Sequence, residues 1–535
     1  MGFARTRGAV VVGIEGHLVD VEAHVGGGLP EFRLVGLPDA AVRESRDRVR
    51  AALHHAGISL PVGRITVNLA PARLRKPGSG LDLAIACAVV GAAGTLPERA
   101  LQDRLFVGEL SLDGRIRPVE GMVPLLLAAR RAGIHEAVVP KASMASARVV
   151  DGVSLRAAQR LADVLGALRR GTWPPDSGDG AAPTSAETDP WGDGGGAMGD
   201  LAEVRGQALA RRALEVAAAG GHHLMLVGPP GTGKTMLARR MVSVLPPLER
   251  EEWLEVVQIY SAAGRLASAP CQYRPDLRRP FREPHHSCTV AGLCGGGPRM
   301  VPGELSLAHR GVLFLDEFSE LGPEVVDSLR EPMEDGWITL VRVSRTARLP
   351  ADVLVVGATN PCPCGYLGVD GPAGPTQRCR CREAQLQRYR RRLQGPVADR
   401  FEVWALTRPV GERELLGRPS EPSEAVRARV AEAWARQRRR LGAGERPEPF
   451  ARAPLNGRMR PAEVRRHCRM DPATESEFVY LSRRLSVSAR CADGVLKVAR
   501  TLADLEGTDE IGIHHIREAF QLRRSAAVGM GTASP

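Results

Sequence analysis

The stretch LMLVGPPGTGKT, Leu224 to Thr235, decides how this chain is read. Its last eight residues, Gly228 to Thr235, meet the pattern G-x-x-x-x-G-K-T. The apolar run Leu224 to Val227 predicts a strand, and helical apolar spacing runs from Lys234 to about Leu245. A glycine loop between a strand and a helix turns successive backbone N–H groups inward and cradles a phosphate. Gly228, Pro229, Pro230, Gly231, Thr232 and Gly233 supply that cradle. Lys234 brings a point charge to the β- and γ-phosphates, and Thr235 Oγ is a ligand for Mg²⁺. ATP and Mg²⁺ are the expected cofactors.

Such a loop needs an acidic magnesium partner and a group that activates water. VLFLDE provides both: the apolar strand Val312 to Leu315 ends in Asp316, for the Mg²⁺ shell, and Glu317, for the attacking water. A third apolar run, VLVVGATN, ends in Thr359 and Asn360. From about Pro409 the pattern changes to helices. Val426, Val430, Ala433, Trp434 and Leu441 recur at helical spacing in Glu424 to Leu441, as do Val495, Val498, Leu502 and Leu505 in Arg490 to Leu505.

Upstream, Leu201 to Ala219 has helical spacing, and Gly171 to Asp200 is rich in Gly, Pro, Ser, Thr and Asp without periodicity, as expected of a flexible linker. Before it, the strand runs Ala9 to Ile14, Ile65 to Leu69 and Ala137 to Pro140 alternate with the helical patterns Asp39 to Ala56, Asp82 to Ala93 and Val123 to Ala132. The chain of 535 residues is therefore α/β. It divides into an N-terminal unit at 1–170, a linker at 171–199, a nucleotide-binding core with a parallel sheet at 200–408, a helical lid at 409–527 and a tail at 528–535.

The formal charge of +12 favours an acidic partner, with DNA the expected one. Only Lys76, Lys141, Lys234 and Lys497 are lysines, so arginine carries nearly all the positive charge, as a GC-rich genome alone would produce. Sparse aromatics argue against an extended base-stacking platform. No apolar run is long enough to span a bilayer, and a cytoplasmic protein is expected. Four of the ten cysteines, Cys362, Cys364, Cys379 and Cys381, form two C-x-C units, a candidate structural zinc site that would brace the loop Gly365 to Arg378. His285 and His286 have no helical i, i+4 partner and read as loop rather than metal ligands.

The segments RPFREPHHS, PGELSLAHRGVLFLDE, ATNPCPCGY, GPVADRFE and SARCADGVLKVARTLADLEG resemble the ComM/YifB group of magnesium-chelatase-like AAA+ proteins across most of residues 200–520. The resemblance implies that Asn360 is sensor 1, that Arg400 is a finger reaching a neighbouring subunit's γ-phosphate, and that Arg490 is sensor 2. It also makes Asp335 to Pro350 a hairpin before sensor 1, whose Arg342, Arg345 and Arg348 would face a pore. A homo-oligomeric ring, a hexamer, follows from the resemblance, as does ATP-driven DNA remodelling of the helicase and branch-migration type. A chelatase motor subunit and a protein-remodelling ATPase are the rivals; the absence of a D-x-S-x-S motif speaks against the chelatase.

VGLPDAAVRESRDRVRAAL, GSGLDLAIA and FVGELSLDGRIRPVEG look like that family's first domain, of Lon-protease-like fold. A Lon-type site pairs Ser with Lys, but Asp82 and Val123 stand near the two positions, and Ser79 has no evident base. A scaffold or DNA-contacting domain is expected, not a peptidase.

Overall fold

The computed structural model describes residues 2–60, 63–173, 191, 199–266, 277–297, 299–342, 345–368, 379–393, 397–411, 414, 416–417, 420–442 and 449–529. Two sheets organise it. The first has seven strands in the order Glu31–Val35, Arg64–Ala70, Glu15–Gly26, Gly2–Val12, Arg104–Phe106, Glu136–Pro140, Ser154–Ala158. Gly2–Val12 and Glu15–Gly26 form an antiparallel hairpin, and the strands from Gly2–Val12 to Ser154–Ala158 run parallel. The second hairpin strand was not read from sequence, although Val19, Val21, Ala23 and Val25 alternate and are all buried. The three expected helices are present as Ala40–His55, Asp82–Ala92 and Met122–Arg131. Asp39 starts the first by accepting from the Val42 N–H at 2.9 Å. Asp82–Ala92 is apolar all round and buried on nearly every side.

The second sheet is entirely parallel, in the order Phe281–Arg282, Val312–Leu315, Leu354–Thr359, Leu224–Val227, Val403–Leu406. Its three middle strands are buried residue by residue, which explains their unbroken apolar runs. The edge strand Val403–Leu406 was not read from the sequence. Helices Ser423–Leu441, Pro461–His467, Pro472–Arg484, Ala489–Glu506 and Ile513–Gly529 follow. Ser423–Leu441 lies against Ala208–Gly220, where Trp434 Nε1 donates to the Ala218 carbonyl at 3.0 Å and Gln437 Nε2 to that of Ala219 at 2.8 Å. Among the described residues no helix is long and apolar enough to cross a membrane.

Two sequence expectations change. The helix expected over Leu201 to Ala219 is a short turn, Leu201–Glu203, followed by the helix Ala208–Gly220. Gly206 and Gln207 interrupt it with φ of 58° and 55°, a left-handed step that aims Gln207 at the phosphate loop. Most of the expected linker, 174–190 and 192–198, lies outside the described residues. Trp191 within it is buried, donating from Nε1 to the Arg278 carbonyl at 3.0 Å and accepting from Tyr260 Oη at 3.1 Å.

The first sheet's helix Met122–Arg131 packs on helix Arg250–Ala262 of the second unit through one continuous apolar cluster. Polar contacts register the two: Gln258 Nε2 donates to the Ile14 carbonyl at 2.8 Å, and the Val123 N–H to Ser261 Oγ at 3.1 Å.

Ahead of strand Leu354–Thr359 sits the buried Asp352, ion-paired to Arg310 at 3.1 Å, Arg458 at 3.3 Å and Arg452 at 3.5 Å. Burial alone would raise its pKa, but Arg458, Arg452 and Arg310 outweigh that and hold the carboxyl well below the usual range. A depressed carboxylate stabilises the fold above its unfolded pKa of about 4, and that stability is lost as pH falls toward the folded value. Asp352→Ala should cost about 3–5 kcal/mol, because guanidiniums lose their buried counter-charge. Urea unfolding at neutral pH tests this, and an unchanged midpoint would refute it.

Candidate active site

Parallel pairing sets the site. Leu224–Val227 lies between Leu354–Thr359 and Val403–Leu406, with Val227 opposite Thr359 and Leu406, so the loops after all three strands emerge on one side. There Pro230 to Thr235, Asp316, Glu317, Thr359 and Asn360 line a cavity of about 390 Å³. The predicted phosphate, magnesium, base and sensor residues are thus brought together, apart from the two arginines. Gly231 and Gly233 have φ of 75° and 85°, where a side chain would be strained. Gly228 answers to a close approach instead, since a Cβ there would stand 2.0 Å from Thr407 Oγ1.

Lys234 Nζ donates to the Gly228 carbonyl at 2.7 Å, the Pro229 carbonyl at 2.9 Å and Asn360 Oδ1 at 3.1 Å. Burial lowers its pKa, against the pull of Asp316 and Glu317. Thr235 Oγ1 donates to Asp316 Oδ2 at 3.0 Å. Mg²⁺ with oxygen ligands at about 2.05 Å in an octahedron sets cis ligands about 2.9 Å apart, so this pair fits two adjacent positions of its shell. Glu317 holds a left-handed φ of 48°, an uncommon conformation for a residue with a Cβ.

Two residues that sequence reasoning missed complete the surroundings. His286 Nδ1 lies 3.2 Å from Glu317 Oε2. Their spacing in sequence carries no signal; they meet because Phe281–Arg282 runs parallel beside Val312–Leu315, which sets their carboxyl ends side by side. His285 and His286 do lie in a loop, as expected, and belong to no candidate metal cluster among the described residues. Gln207 Nε2 donates to the carbonyls of Thr232 at 3.2 Å and Arg408 at 2.5 Å, tying the phosphate loop to the chain that follows Val403–Leu406.

Arg400 and Arg490 do not reach this site. Arg400 lies just before Val403, which pairs with Leu224 at the amino end of the phosphate-loop strand. Four residues of strand at about 3.3 Å each separate the two ends of the sheet. Both arginines instead line a separate cavity of about 950 Å³, together with Trp337 and Arg348. The expected hairpin is present as Trp337–Arg342 and Arg345–Pro350. Arg348 stacks 4.7 Å over the Trp337 ring, and the side chains of Arg342 and Arg345 lie outside the described residues.

Cys362, Cys364, Cys379 and Cys381 converge, with all four sulfurs within 4.8 Å of one another. Cys379 Sγ lies 3.8 Å from Cys362 Sγ and 3.7 Å from Cys364 Sγ. Zinc–thiolate bonds of about 2.3 Å in a tetrahedron imply sulfurs about 3.8 Å apart, so the set fits zinc. Burial pushes the Cys364 thiol up, yet the N–H groups of Arg380 and Tyr366 bring it down to about 6. Most of the loop between the pairs, 369–378, lies outside the described residues. Glu506, His514 and His515 also converge, but the Gly512 N–H donates to His515 Nδ1 at 2.9 Å. The His515 proton therefore sits on Nε2 and points at Glu506, which leaves no lone pair for a metal there.

Among the described residues of the N-terminal unit no Ser–Lys pair forms. Ser79 Oγ donates to Glu109, and Lys76 Nζ is held by the carbonyls of Gly36 at 2.8 Å and Pro71 at 2.5 Å. Asp82 is fully buried between Ser45 and Arg48, and Val123 is buried in its helix.

Gly228→Ala should push the loop off Thr407 and weaken binding of a fluorescent ATP analogue at least about tenfold, a loss of roughly 1.4 kcal/mol. Equal affinity by titration would refute the close-approach argument.

Known proteins align with this architecture along its whole length. Family models described as "Magnesium chelatase, subunit ChlI", "Subunit ChlI of Mg-chelatase" and "Magnesium chelatase, subunit ChlI C-terminal" match residues 200–415, 21–143 and 420–523. An uncharacterized protein of Mycobacterium tuberculosis is 42% identical over 98% of this chain and 100% of its own length. Competence protein ComM of Haemophilus influenzae is 36% identical over 96% of each chain. Uncharacterized protein YifB of Escherichia coli is 37% identical over 98% of this chain and 97% of its own. With Gly228 to Thr235, Asp316, Glu317 and Asn360 assembled at the carboxyl end of one sheet, these full-length similarities settle the matter: the chain belongs to the ComM/YifB family of magnesium-chelatase-like AAA+ proteins.

Proposed function

We propose that the protein is an ATP-hydrolysing motor that works in the cytoplasm as a homo-oligomeric ring, a hexamer, and remodels branched DNA as a helicase or branch-migration factor. One observation carries the ring: among the described residues no arginine lines the phosphate site, while Arg400 and Arg490 lie in a cavity beyond the other end of the sheet. An arginine so placed acts only on a neighbour's nucleotide, and head-to-tail repetition of that contact closes a ring. In the reaction ATP and Mg²⁺ bind at the Gly228–Thr235 loop, with Thr235 and Asp316 holding the ion. Glu317 takes the proton of the attacking water, Asn360 orients that water from its place beside Lys234, and the neighbour's arginines meet the developing charge.

DNA as the load is supported by the surplus of +12 charges and by similarity to a protein named for competence. Motion would be passed between the units 1–170, 200–408 and 409–527, joined through the 171–199 segment, with 528–535 a tail. A chelatase-type motor is the second reading, favoured by 28% identity to the magnesium-chelatase subunit ChlI of Anabaena variabilis. That match spans 26% of this chain, against 96% for ComM, which ranks it below the first. The cysteine cluster is proposed to hold a structural zinc that braces Asn360. Cys362 follows Asn360 closely, and helix Glu383–Leu393 after Cys381 sends Tyr389 Oη back to the Asn360 carbonyl at 2.7 Å.

Purified protein is expected to release phosphate from ATP faster with four-way or forked DNA than without, and to displace a labelled strand. Lys234→Ala should lower turnover by a factor of about 100 or more. Absence of both DNA stimulation and salt-sensitive DNA binding would sink the DNA reading and leave the ATPase reading standing. Elemental analysis should find about one zinc per chain, lost in Cys379→Ser together with some thermal stability; a metal-free wild type would remove zinc.

A further inference from the structure

The short helix Arg330–Asp335 ends beside the arginine cavity, just before the hairpin Trp337–Pro350. From it Glu334 presents one carboxylate to two arginines. Arg400 Nη2 donates to its Oε2, and Arg490 Nη2 donates to its Oε1 at 2.5 Å. Arg400 comes from the turn before the edge strand, and Arg490 from the start of helix Ala489–Glu506. The helix end is itself gripped: Arg452 Nη1 donates to the Glu334 carbonyl, and Arg452 Nη2 lies 3.4 Å from that of Met333. Two other acids of the cavity are engaged elsewhere, Glu331 accepting from Thr339 Oγ1 at 2.6 Å and Asp399 pairing with Arg523 at 3.5 Å.

We propose that Glu334 is a positioning residue for the arginine pair, joining Arg400, Arg490 and the hairpin so that both guanidiniums meet a neighbour's nucleotide as one unit. This rests on the reading that the two arginines act in trans. The physical case has three parts. Two guanidiniums converging on one cavity repel unless an anion lies between them. Long arginine side chains lose rotamer freedom on meeting a phosphate, and a carboxylate that already holds them removes that ordering from the reaction. Finally, Glu334 precedes the hairpin strand that begins at Trp337 by three residues, so displacement of the hairpin moves the carboxylate and with it the pair. In keeping with this, burial would raise the Glu334 pKa, but Arg400 and Arg490 lower it overall.

The test uses full-length protein. Glu334→Ala should lower kcat about tenfold or more while leaving the KM for ATP within about twofold, the signature of an interaction made in the transition state. A donor–acceptor mixture isolates the role. Lys234→Ala keeps its arginines and lacks a working loop, Arg400→Ala the reverse, and the two mixed should regain ATPase activity. The double variant Lys234→Ala/Glu334→Ala, mixed with Arg400→Ala, should not restore it. Restoration by the double variant, or a Glu334→Ala kcat equal to or above wild type, overturns the proposal. A silent first mixture beside an active wild type overturns the trans reading and this proposal together. If Glu334→Ala does not fold, Glu334→Gln, of equal volume and without the charge, carries the test. It should lose kcat with unchanged nucleotide affinity and melting temperature, and an unchanged kcat would refute Glu334's role.

Discussion

The parallel pairing of Leu224–Val227 with Leu354–Thr359 and Val403–Leu406 is the constraint on which the rest depends. Parallel strands place all their carboxyl ends on one side, so the phosphate loop, the acid pair and Asn360 meet without any loop having to turn back. The same pairing sends whatever precedes Val403 to the far side, and Arg400 precedes it. The phosphate loop at one end of the sheet and Arg400 at the other are two results of one hydrogen-bonding pattern.

Around that sheet, buried polar groups set the positions of the pieces. Asp352 holds Arg310, Arg452 and Arg458, and so ties the chain entering strand Leu354–Thr359 to the chain entering the C-terminal helices. Gly365 lies against Pro230, where a Cβ would come within 2.7 Å of the ring, so the cysteine loop abuts the phosphate loop. Tyr389 links Thr359 and Asn360 to the helix beyond Cys381. Each contact joins segments far apart in sequence, and each bears on a residue of the site.

The N-terminal unit departs most from a simple chain of independent parts. Its helix Met122–Arg131 shares an apolar cluster with the second unit, and Ser261 takes backbone donors from Gly121 and Val123. At the positions where a peptidase would carry its dyad, Asp82 is a buried partner of Arg48 and Val123 is buried in helix Met122–Arg131.

The sequence by itself determined the α/β class, the phosphate loop with Asp316 and Glu317, and elements such as Asp82–Ala92, Leu224–Val227, Lys234–Val244 and Ser423–Leu441 to within a few residues. These follow from local periodicity and from glycine, lysine and acid at spacings that the loop chemistry requires. Short or interrupted elements were less legible. The edge strand Val403–Leu406 escaped the sequence reading, and the break at Gly206–Gln207 exists because Gln207 bonds to a loop 25 residues away. Only the tertiary structure decided that His286 meets Glu317 and that Arg400 and Arg490 share Glu334. These pairings depend on which strands lie side by side and in which direction, and no local pattern encodes that choice.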